Sequence, residues 1–477
     1  MDRRSTPDPP PPSLQPESLQ PESRFLPESR LPPASAHAIL ARTRDDACER
    51  ATIFLERQLA SITTDAAGEW WGIQANLAAG PSPHEQLDLQ QFFATPLPAA
   101  QPVHPLAEWA DKKLGFPLEP ELFSNMLFVA TLGACGNPRL EVLSRRLLPT
   151  FRDSDADGLY HFFRTLKFAC DLDCTGVAAR ACLVTSDLKL EQAAGFARLQ
   201  RTAQRIYRSA ATSDVSAEGN QSHGKHNGTL YRHVFKVYPD DHDVQGPECD
   251  RGLKNNPVVV VNALYPVLLE LKLGRRALGE RIALCEYVEG QAEPRRGEAS
   301  VAEILVANVR YVAWHLLSGD YRDGCRYYAS PDTFLCFFSE LVRDFPELFE
   351  PLGVSKRLGR AVEDRRDLAS TDVALNPLTS LNAGLRATAA ANVGVDRSFE
   401  LDLLLRAQGE DGAWNELDSL YTFGTARQIH FRSPLLTTAF ALRALLPRPS
   451  QPLVSAFRDD WVAPIVAALS GTSARPP

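Results

Sequence analysis

The sequence predicts an all-α protein in which antiparallel helix pairs surround one contiguous core. From Ala36 onward, apolar residues recur at steps of three and four, as in AGFARLQRTAQRIYRSA and VAEILVANVRYVAWHLLSG, which is the period of an amphipathic helix. Clusters of Gly, Pro or Asp separate these segments, as expected where helices end. Strand and helix patterns do not alternate along the chain, so a parallel α/β sheet is not predicted.

Size and composition are typical of a soluble globular protein. The chain has 477 residues, of which 44% are hydrophobic and 23% are charged, enough for two or three average domains or one large helical domain. The net charge of -8 argues against a nucleic-acid partner, because phosphate recognition needs a basic surface. No run of about 18 apolar residues predicts a transmembrane segment, whereas peripheral contact with a membrane stays open.

The cysteines indicate a reducing compartment. There are nine of them, scattered along the chain without a CxxC pair, which argues against a disulfide framework and against a structural zinc site. Reduced thiols predict a cytoplasmic protein, and the N-terminus lacks the apolar core of a secretory signal. The sequence gives no basis for assigning an oligomeric state.

The first 35 residues form a Pro-rich tail. The sequence LQPES occurs at Leu14–Ser18 and again at Leu19–Ser23, and FLPES follows at Phe25–Ser29. Such a segment buries too little apolar surface to offset the entropy lost on ordering, so we expect it to be disordered. Residues 36–477 then carry the helical region, interrupted by a polar insertion near 213–256.

Helices are expected in order at residues 37–62, 194–210, 257–273, 301–319, 333–345, 398–408 and 435–447. The segment PVVVVNALYPVLLELKL, Pro257–Leu273, opens with a β-branched run that could form a strand, but its Leu-rich continuation favours a buried helix. In the polar insertion the histidines His223, His226 and His233 match no zinc pattern. No metal site is predicted there.

The stretch CDLDCTG, Cys170–Gly176, contains the main candidates for chemistry. It places two carboxylates, Asp171 and Asp173, beside Cys174 and Thr175 in an otherwise apolar segment. Helix capping would explain one acid, but two acids suggest a site. The letters also fit the DxDxT motif of haloacid dehalogenase-like phosphohydrolases, with Asp171 as nucleophile and Asp173 as general acid. That motif should end a β-branched strand, and RTLKFAC is a poor strand.

A second resemblance combines two parts of the chain. The run from Asp171 to Gly176 resembles a blend of the acid motifs, DxDD with Thr-Ala and Asp-Cys-Thr-Ala, of the class II terpene cyclases, the squalene-hopene and oxidosqualene cyclase superfamily. LLLRAQGEDGAW resembles their QW repeat through Gln408, Gly412 and Trp414. The resemblance implies an α/α toroid of the prenyltransferase-like type, here one barrel region with a possible reduced second helical domain.

The resemblance also implies a reaction and roles for residues. Proton-initiated cyclisation of a linear isoprenoid would use Asp173 as general acid, tuned by Asp171, Cys174 and Thr175. The substrate would be a prenyl diphosphate, a squalene-like chain or an epoxide. No cofactor is firmly implied, and Mg²⁺ is expected to take part, if at all, only with a diphosphate substrate. Gln408, Gly412 and Trp414 would have a structural role. The candidate cavity aromatics are Trp314, Tyr327, Tyr328, Phe334, Tyr421 and Phe423.

Two other functions stay open on the sequence. One is the phosphohydrolase that uses Asp171 and Asp173. The other is a non-catalytic helical barrel that binds a lipid or a protein, since elements that resemble the QW repeat are sparse in this chain.

Overall fold

The computed structural model of the chain describes residues 33–60, 76–79, 121–152, 157–163, 169–190, 192–216, 229–239, 254–274, 276–286, 293–328, 330–369, 379–414, 419–423, 429–447 and 460–470. Nearly all of the expected tail and much of the polar insertion, with His223 and His226, therefore lie outside the described residues. Met1–Thr43 and Arg44–Pro477 are two compact units. The architecture below is that of the second unit.

The described residues form mostly helices. In chain order these are α1 Pro33–Ala60, α2 Phe123–Leu132, α3 Pro138–Leu147, α4 Pro149–Arg152, α5 Leu172–Val184, α6 Ala193–Arg208, α7 Pro257–Lys272, α8 Val301–Ser318, α9 Pro331–Asp344, α10 Pro346–Phe349, α11 Val354–Ala369, α12 Ser380–Val393, α13 Ser398–Ala407, α14 Pro434–Leu445 and α15 Val462–Ser470. A 3₁₀ turn, Asp320–Asp323, lies between α8 and α9.

The strands are short and their pairs are antiparallel. They are β1 Asn76–Ala79, β2 Tyr160–His161, β3 Cys170–Asp171, β4 Val215–Ser216, β5 Thr229–Leu230, β6 Arg281–Glu286, β7 Arg295–Ser300, β8 Ser419–Phe423 and β9 Ile429–Arg432. The pairs are β2–β3, β4–β5 and β6–β7, and one three-stranded sheet has the order β1-β9-β8.

Helices α2, α5, α7, α9, α12 and α14 form a closed inner ring. Each packs against the next in that order, and α14 packs back against α2. An outer layer surrounds them: α3 packs on α2, α6 and α8 on α7, and α11 and α13 on α12. From Arg44 onward, α1 joins this layer through Arg139 of α3, whose guanidinium donates to Glu56 Oε1 over 2.8 Å. The fold is an all-α, α/α toroid, and the prediction from the sequence is confirmed.

Burial explains which helices are inner and which are outer. Every residue of α7 is buried, as expected for a helix that has neighbours all round. Its β-branched run forms a helix, as the sequence predicted. The outer helix α6 buries one face instead, with Leu199, Ala203 and Ile206 at steps of four and three. Within the described part of the chain, no helix combines the length and the apolar character that crossing a membrane requires.

Polar caps fix where several inner helices begin. Asn256 precedes α7 and accepts hydrogen bonds from the amides of Val258 and Val259, and Ser433 caps α14 by accepting from the Leu436 amide. Pro at the first position, as in α7, α9 and α14, adds a preset φ where no amide donor is needed. These local signals determine where the inner helices begin, and the candidate functional residues lie at that end of the ring.

The segment that resembles a QW repeat ties two outer helices together. Gln408 donates to the carbonyls of Ala47 in α1 and of Gly412, each over 2.9 Å. Gly412 has a φ of +91°, and a Cβ there would lie 2.4 Å from the Arg50 carbonyl oxygen, so only glycine fits. Trp414 is fully buried and its indole donates to the Leu404 carbonyl over 2.9 Å. These contacts join α13 to α1, and the assignment of the three residues to a QW repeat stays a prediction.

Candidate active site

A cleft lies at the end of the ring where the inner helices begin. It is built from the first turns of α2, α5 and α7 and from the segments that precede α9 and α14, and it holds about 410 Å³ of empty space, part of it open to solvent. The residues that line it are the aromatics Phe123, Phe162, Tyr238, Tyr327, Tyr328 and Tyr421, the aliphatics Val237 and Val259, and the polar residues Asp171, Asp173, Cys174 and Thr422.

Asp171 caps a helix and also lines the cleft. It is the N-cap of α5, and its carboxylate accepts a hydrogen bond from the Cys174 amide over 2.7 Å. It also lines the cleft and is 95% buried, with 5% of its surface exposed. Its backbone pairs with Tyr160 in the short β2–β3 ladder. Capping therefore accounts for one acid, as expected, and leaves the second to be explained.

Asp173 lies in the first turn of α5 and is held by one residue of the inner helix α7 and one residue from the segment before α9. Its Oδ1 accepts a hydrogen bond from the Asn262 amide of α7 over 2.7 Å, and its Oδ2 is hydrogen-bonded to the Tyr328 hydroxyl, which lies just before α9. Burial raises the pKa of the Tyr328 phenol well above its usual value, so Tyr328 remains protonated and can donate to Asp173. The carboxyl group is thus oriented by two fixed partners.

Both carboxyl groups hold protons more tightly than they would in water. Burial, followed by the nearby charge of Asp173, raises the pKa of Asp171 to about 7. Burial also raises the pKa of Asp173 to about 6, opposed by the hydrogen bonds from Tyr328 and Asn262. Two buried carboxyl groups this close titrate as a pair, because a charge on one disfavours a charge on the other. Near neutral pH the pair therefore retains a proton.

Thr175 and Cys174 support this arrangement from the first turn of α5. The Thr175 hydroxyl donates to the Asp171 carbonyl over 2.7 Å and accepts from the Tyr160 amide over 3.0 Å. Burial and the charges of Asp171 and Asp173 raise the pKa of the Cys174 thiol well above its usual value, so it stays protonated. Thr175 fixes the backbone, and Cys174 forms part of the cleft wall.

Gly176 lets α5 approach α7 closely enough for Asn262 to reach Asp173. A Cβ at position 176 would lie 2.2 Å from the Asn262 carbonyl oxygen, which is far inside any van der Waals contact. The terpene cyclase acid motifs have Ala where this chain has Gly176. The glycine is explained by the close packing of α5 on α7, which the sequence alone does not show.

We expect Gly176→Ala to lower the free energy of unfolding by roughly 1–3 kcal/mol, because overpacking forces the two helices apart. The same displacement would move Asn262 away from Asp173 and lower turnover. Urea denaturation and an activity assay measure the two effects. Gly279→Ala is the matched control, since a Cβ there meets nothing within 4 Å. A Gly176→Ala protein as stable and active as the control would contradict this account.

The raised pKa values also predict how stability varies with pH. Since folding raises the pKa of Asp171 and of Asp173, the folded state binds more protons than the unfolded state between about pH 4 and 7. Stability from these groups is therefore gained as pH falls from 7 to 4 and is absent above pH 7. Chemical denaturation at pH 5 and pH 8 should show that Asp171→Asn, which keeps a capping oxygen, stabilises the protein at pH 8 more than at pH 5. An equal effect at both pH values would contradict the raised values.

Some of the aromatic residues predicted to line a cavity do line the cleft, and others do not. Tyr327, Tyr328 and Tyr421 line the cleft. Trp314 lies on the outer helix α8, beside His315, and Phe334 packs within the core against Tyr321 and Phe338, so neither lines it. Phe423 ends β8, and its side chain lies outside the described residues. Spacing along a helix could not separate wall from core here, because aromatic side chains serve both.

Several cleft residues were not predicted from the sequence. Asn262, which does not line the cleft but holds Asp173, was not predicted either, and it had a signal: it is the one polar residue in the apolar run PVVVVNALYPVLL. Phe123, Phe162 and Tyr238 come from three further segments and form much of the aromatic wall. No local pattern marks them, since they meet only in the folded ring.

Metal ligands are not grouped in the part of the chain that the structure describes: no three His, Cys, Asp or Glu side chains there are placed to hold an ion. Of the histidines in the polar insertion, His233 is among the described residues and has a φ of +64°. The others lie outside the described residues.

Comparisons with known proteins give one informative sequence relative. The chain matches no protein-family model. Over 173 residues, which are 36% of this chain, it is 31% identical to drimenol cyclase drtB from Aspergillus calidoustus. The alignment spans 29% of that relative, less than a third of its length.

Among solved structures, the type II terpene cyclase MstE from Scytonema is similar at a TM-score of 0.43 and 10% identity, over 85% of this chain and 98% of that one. A protein from Actinoplanes has the same TM-score and 14% identity, over 84% and 98% of the two chains. The fold described here rests on the ring of helices itself and not on these similarities.

Proposed function

We propose, from the premise that the chain is a relative of the class II terpene cyclases, that it closes rings in a linear isoprenoid by protonating it, with Asp173 as general acid. One observation carries this proposal. The Asp173 carboxyl is buried at the start of an inner helix, has a raised pKa, and lies in a cleft walled by aromatic rings. A carboxylic acid in such a place holds its proton more tightly than it would in water and is largely shielded from bulk solvent.

The first step moves one proton. It passes from the Asp173 carboxyl to a terminal alkene carbon, or to the oxygen of an epoxide, and leaves a cation on the neighbouring carbon that the next double bond attacks. The carboxylate left behind keeps the hydrogen bonds of Asn262 and Tyr328. Because these donors are already in position, they stabilise the anion as its charge develops. Asp173 is therefore the donor that we choose from the pair.

Asp171 has a different part in the proposal. Its carboxyl is engaged by the Cys174 amide as the helix cap, and its nearness makes ionisation of both acids unfavourable. The pair therefore enters the reaction with a proton available for Asp173. Asp171 acts through Asp173 and is a positioning residue.

The aromatic wall suits the cations that follow. Tyr327, Tyr328 and Phe123 line the same cleft as Asp173, and a cation over an aromatic face gains about 0.5–2 kcal/mol when water is excluded. The substrate class we propose is a linear isoprenoid: a prenyl diphosphate, a squalene-like chain or an epoxide. The name of the relative drtB makes drimenol a sensible first reference among the products.

Incubation with farnesyl diphosphate, geranylgeranyl diphosphate, squalene and oxidosqualene, followed by product analysis, tests the proposal. We expect a cyclic product from at least one substrate with the wild type and none with Asp173→Asn. Release of phosphate without any ring would favour the phosphohydrolase. That hypothesis has less support, since Asp171 is the second residue of a two-residue antiparallel strand and caps a helix. Binding without turnover of any of the four would favour the non-catalytic barrel.

A further inference from the structure

A third buried carboxyl group, Glu121, lies beside the cleft at the start of α2. It has 5% of its surface exposed. Its backbone is fixed by a bridge to Phe163, and the next amide, that of Leu122, donates to the Phe162 carbonyl over 2.7 Å. The Phe162 ring is part of the cleft wall, so Glu121 is held at the back of that wall.

Only one oxygen of Glu121 has a hydrogen-bond partner among the described residues. Its Oε2 accepts from the Ser124 amide over 2.8 Å, while Oε1 is buried and unpartnered. Three other buried glutamates are paired with arginine, Glu270 with Arg276, Glu340 with Arg180, and Glu400 with Arg366, whereas Glu286 also has a buried, unpartnered Oε1. Glu121 has no such ion pair within the described residues. A cap for α2 needs only one oxygen, so the cap does not account for the second oxygen, and Glu121 differs from Glu286 in lying beside the cleft.

Tyr421 connects Glu121 to the cleft. Its ring lines the cleft and packs edge-on against Phe123, with ring centroids 5.2 Å apart. Its hydroxyl is 2.8 Å from the Ser124 hydroxyl and close enough to Glu121 that each group affects the pKa of the other. The charges of Asp171, Asp173 and Glu121 all raise the pKa of the Cys174 thiol. Cys174 is therefore near enough to all three acids for their charges to act on it, after burial, which is the largest cause.

We propose that Glu121, acting through Tyr421, is the base that ends the cyclisation. This rests on the proposed function. In the last step a C–H bond next to the final cation breaks, and its electron pair forms a C=C bond. The proton passes to the Tyr421 oxygen as that phenol gives its own proton to Glu121. One proton has then left Asp173 and one has reached Glu121, so the protein ends with its charge unchanged and the product is a neutral alkene in its ring system.

The placement suits this role better than that of a second initiating acid. Asp173 has two donors that stabilise its anion, whereas Glu121 is an acceptor with a free oxygen. Burial raises its pKa to about 7, which keeps the anion basic while still leaving it populated at neutral pH. The Tyr421 pKa is raised well above its usual value, so Tyr421 would relay the proton and not hold the charge.

Product analysis of Glu121→Gln and Tyr421→Phe tests this, with the compound among the four that the wild type cyclises. The glutamine keeps an oxygen for the Ser124 amide, so the cap of α2 is preserved. We expect both variants still to close rings in an Asp173-dependent reaction. Their rate of alkene formation should fall about 10²-fold, while alcohols formed by water addition to the cation increase. Glu286→Gln is the matched control: Glu286 is equally buried, accepts from the Thr212 amide over 2.9 Å and does not line the cleft.

The outcomes separate this inference from the proposed function. A wild type that closes no ring removes both. Ring closure with an unchanged ratio of alkene to alcohol in Glu121→Gln overturns only the role of Glu121, whether or not the overall rate falls, because a structural residue would slow both products alike. A wild type whose cyclic products all carry a hydroxyl added to the final cation, and no ring alkene, would overturn it as well. A shift in both Glu121→Gln and Tyr421→Phe, but not in Glu286→Gln, supports it.

Discussion

Asp173→Asn should lower the rate of ring closure by at least about 10³-fold, because it removes the proton that starts the reaction. An amide of the same shape can still accept from Asn262 through its oxygen and meet Tyr328 with its nitrogen, so the local structure should survive. The expected result is therefore a folded protein that binds substrate and does not cyclise it. Product formation under single-turnover conditions measures the loss, and a thermal melt checks the fold.

The matched control for this change is again Glu286→Gln, which turns a buried acid into an amide away from the cleft. Asp171→Asn should lie between the two, since it changes the charge next to Asp173 and keeps the helix cap. If Asp173→Asn retained a tenth or more of the wild-type rate while Asp171→Asn lost nearly all of it, the roles assigned to the two acids would have to be exchanged.

Asp332→Asn should lower the free energy of unfolding by about 3–5 kcal/mol, because it leaves two buried guanidinium groups without a counter-charge. Asp332 lies in the first turn of α9 and is fully buried. Arg365 of α11 donates to it over 3.1 Å, and Arg386 of α12 over 2.9 Å. The two arginines lower its pKa despite its burial, which shows that it is ionised. Urea denaturation at neutral pH measures the cost.

Asp364→Asn on the same outer helix, α11, provides the comparison. Asp364 pairs with Arg322 over 3.1 Å, but both side chains are about half exposed, and such a pair contributes about 0–1 kcal/mol. A loss below about 1 kcal/mol for Asp332→Asn would mean that this three-helix contact is no stronger than a surface pair. Asp332→Asn should also affect the site. Tyr328 lies only four residues before Asp332, so a shift of the start of α9 should displace the Tyr328 hydroxyl from Asp173.

Local patterns in the sequence determined much of the fold. The helical periods and the Pro and Gly positions predicted an all-α chain, and the run Cys170–Gly176 predicted both a helix start and a candidate acid. These features could be predicted because each depends on residues within about four positions of one another, such as the Asp171 cap on the Cys174 amide. The burial of α7 on all sides is likewise visible in its largely apolar sequence.

The tertiary structure alone decided which side chains surround the acid. Asn262 is 89 residues from Asp173 in the sequence, and Tyr328 is 155 residues from it. Glu121 precedes the first inner helix, α2, whereas Tyr421 precedes the last one, α14. Such meetings depend on how the inner helices close into a ring and on how near a glycine lets two of them come. No periodicity or motif in the sequence predicts how closely two helices approach, because their packing depends on side chains that are far apart in sequence. The same reason explains why Tyr327 and Tyr328 line the cleft while Phe334, six residues further on, is part of the core.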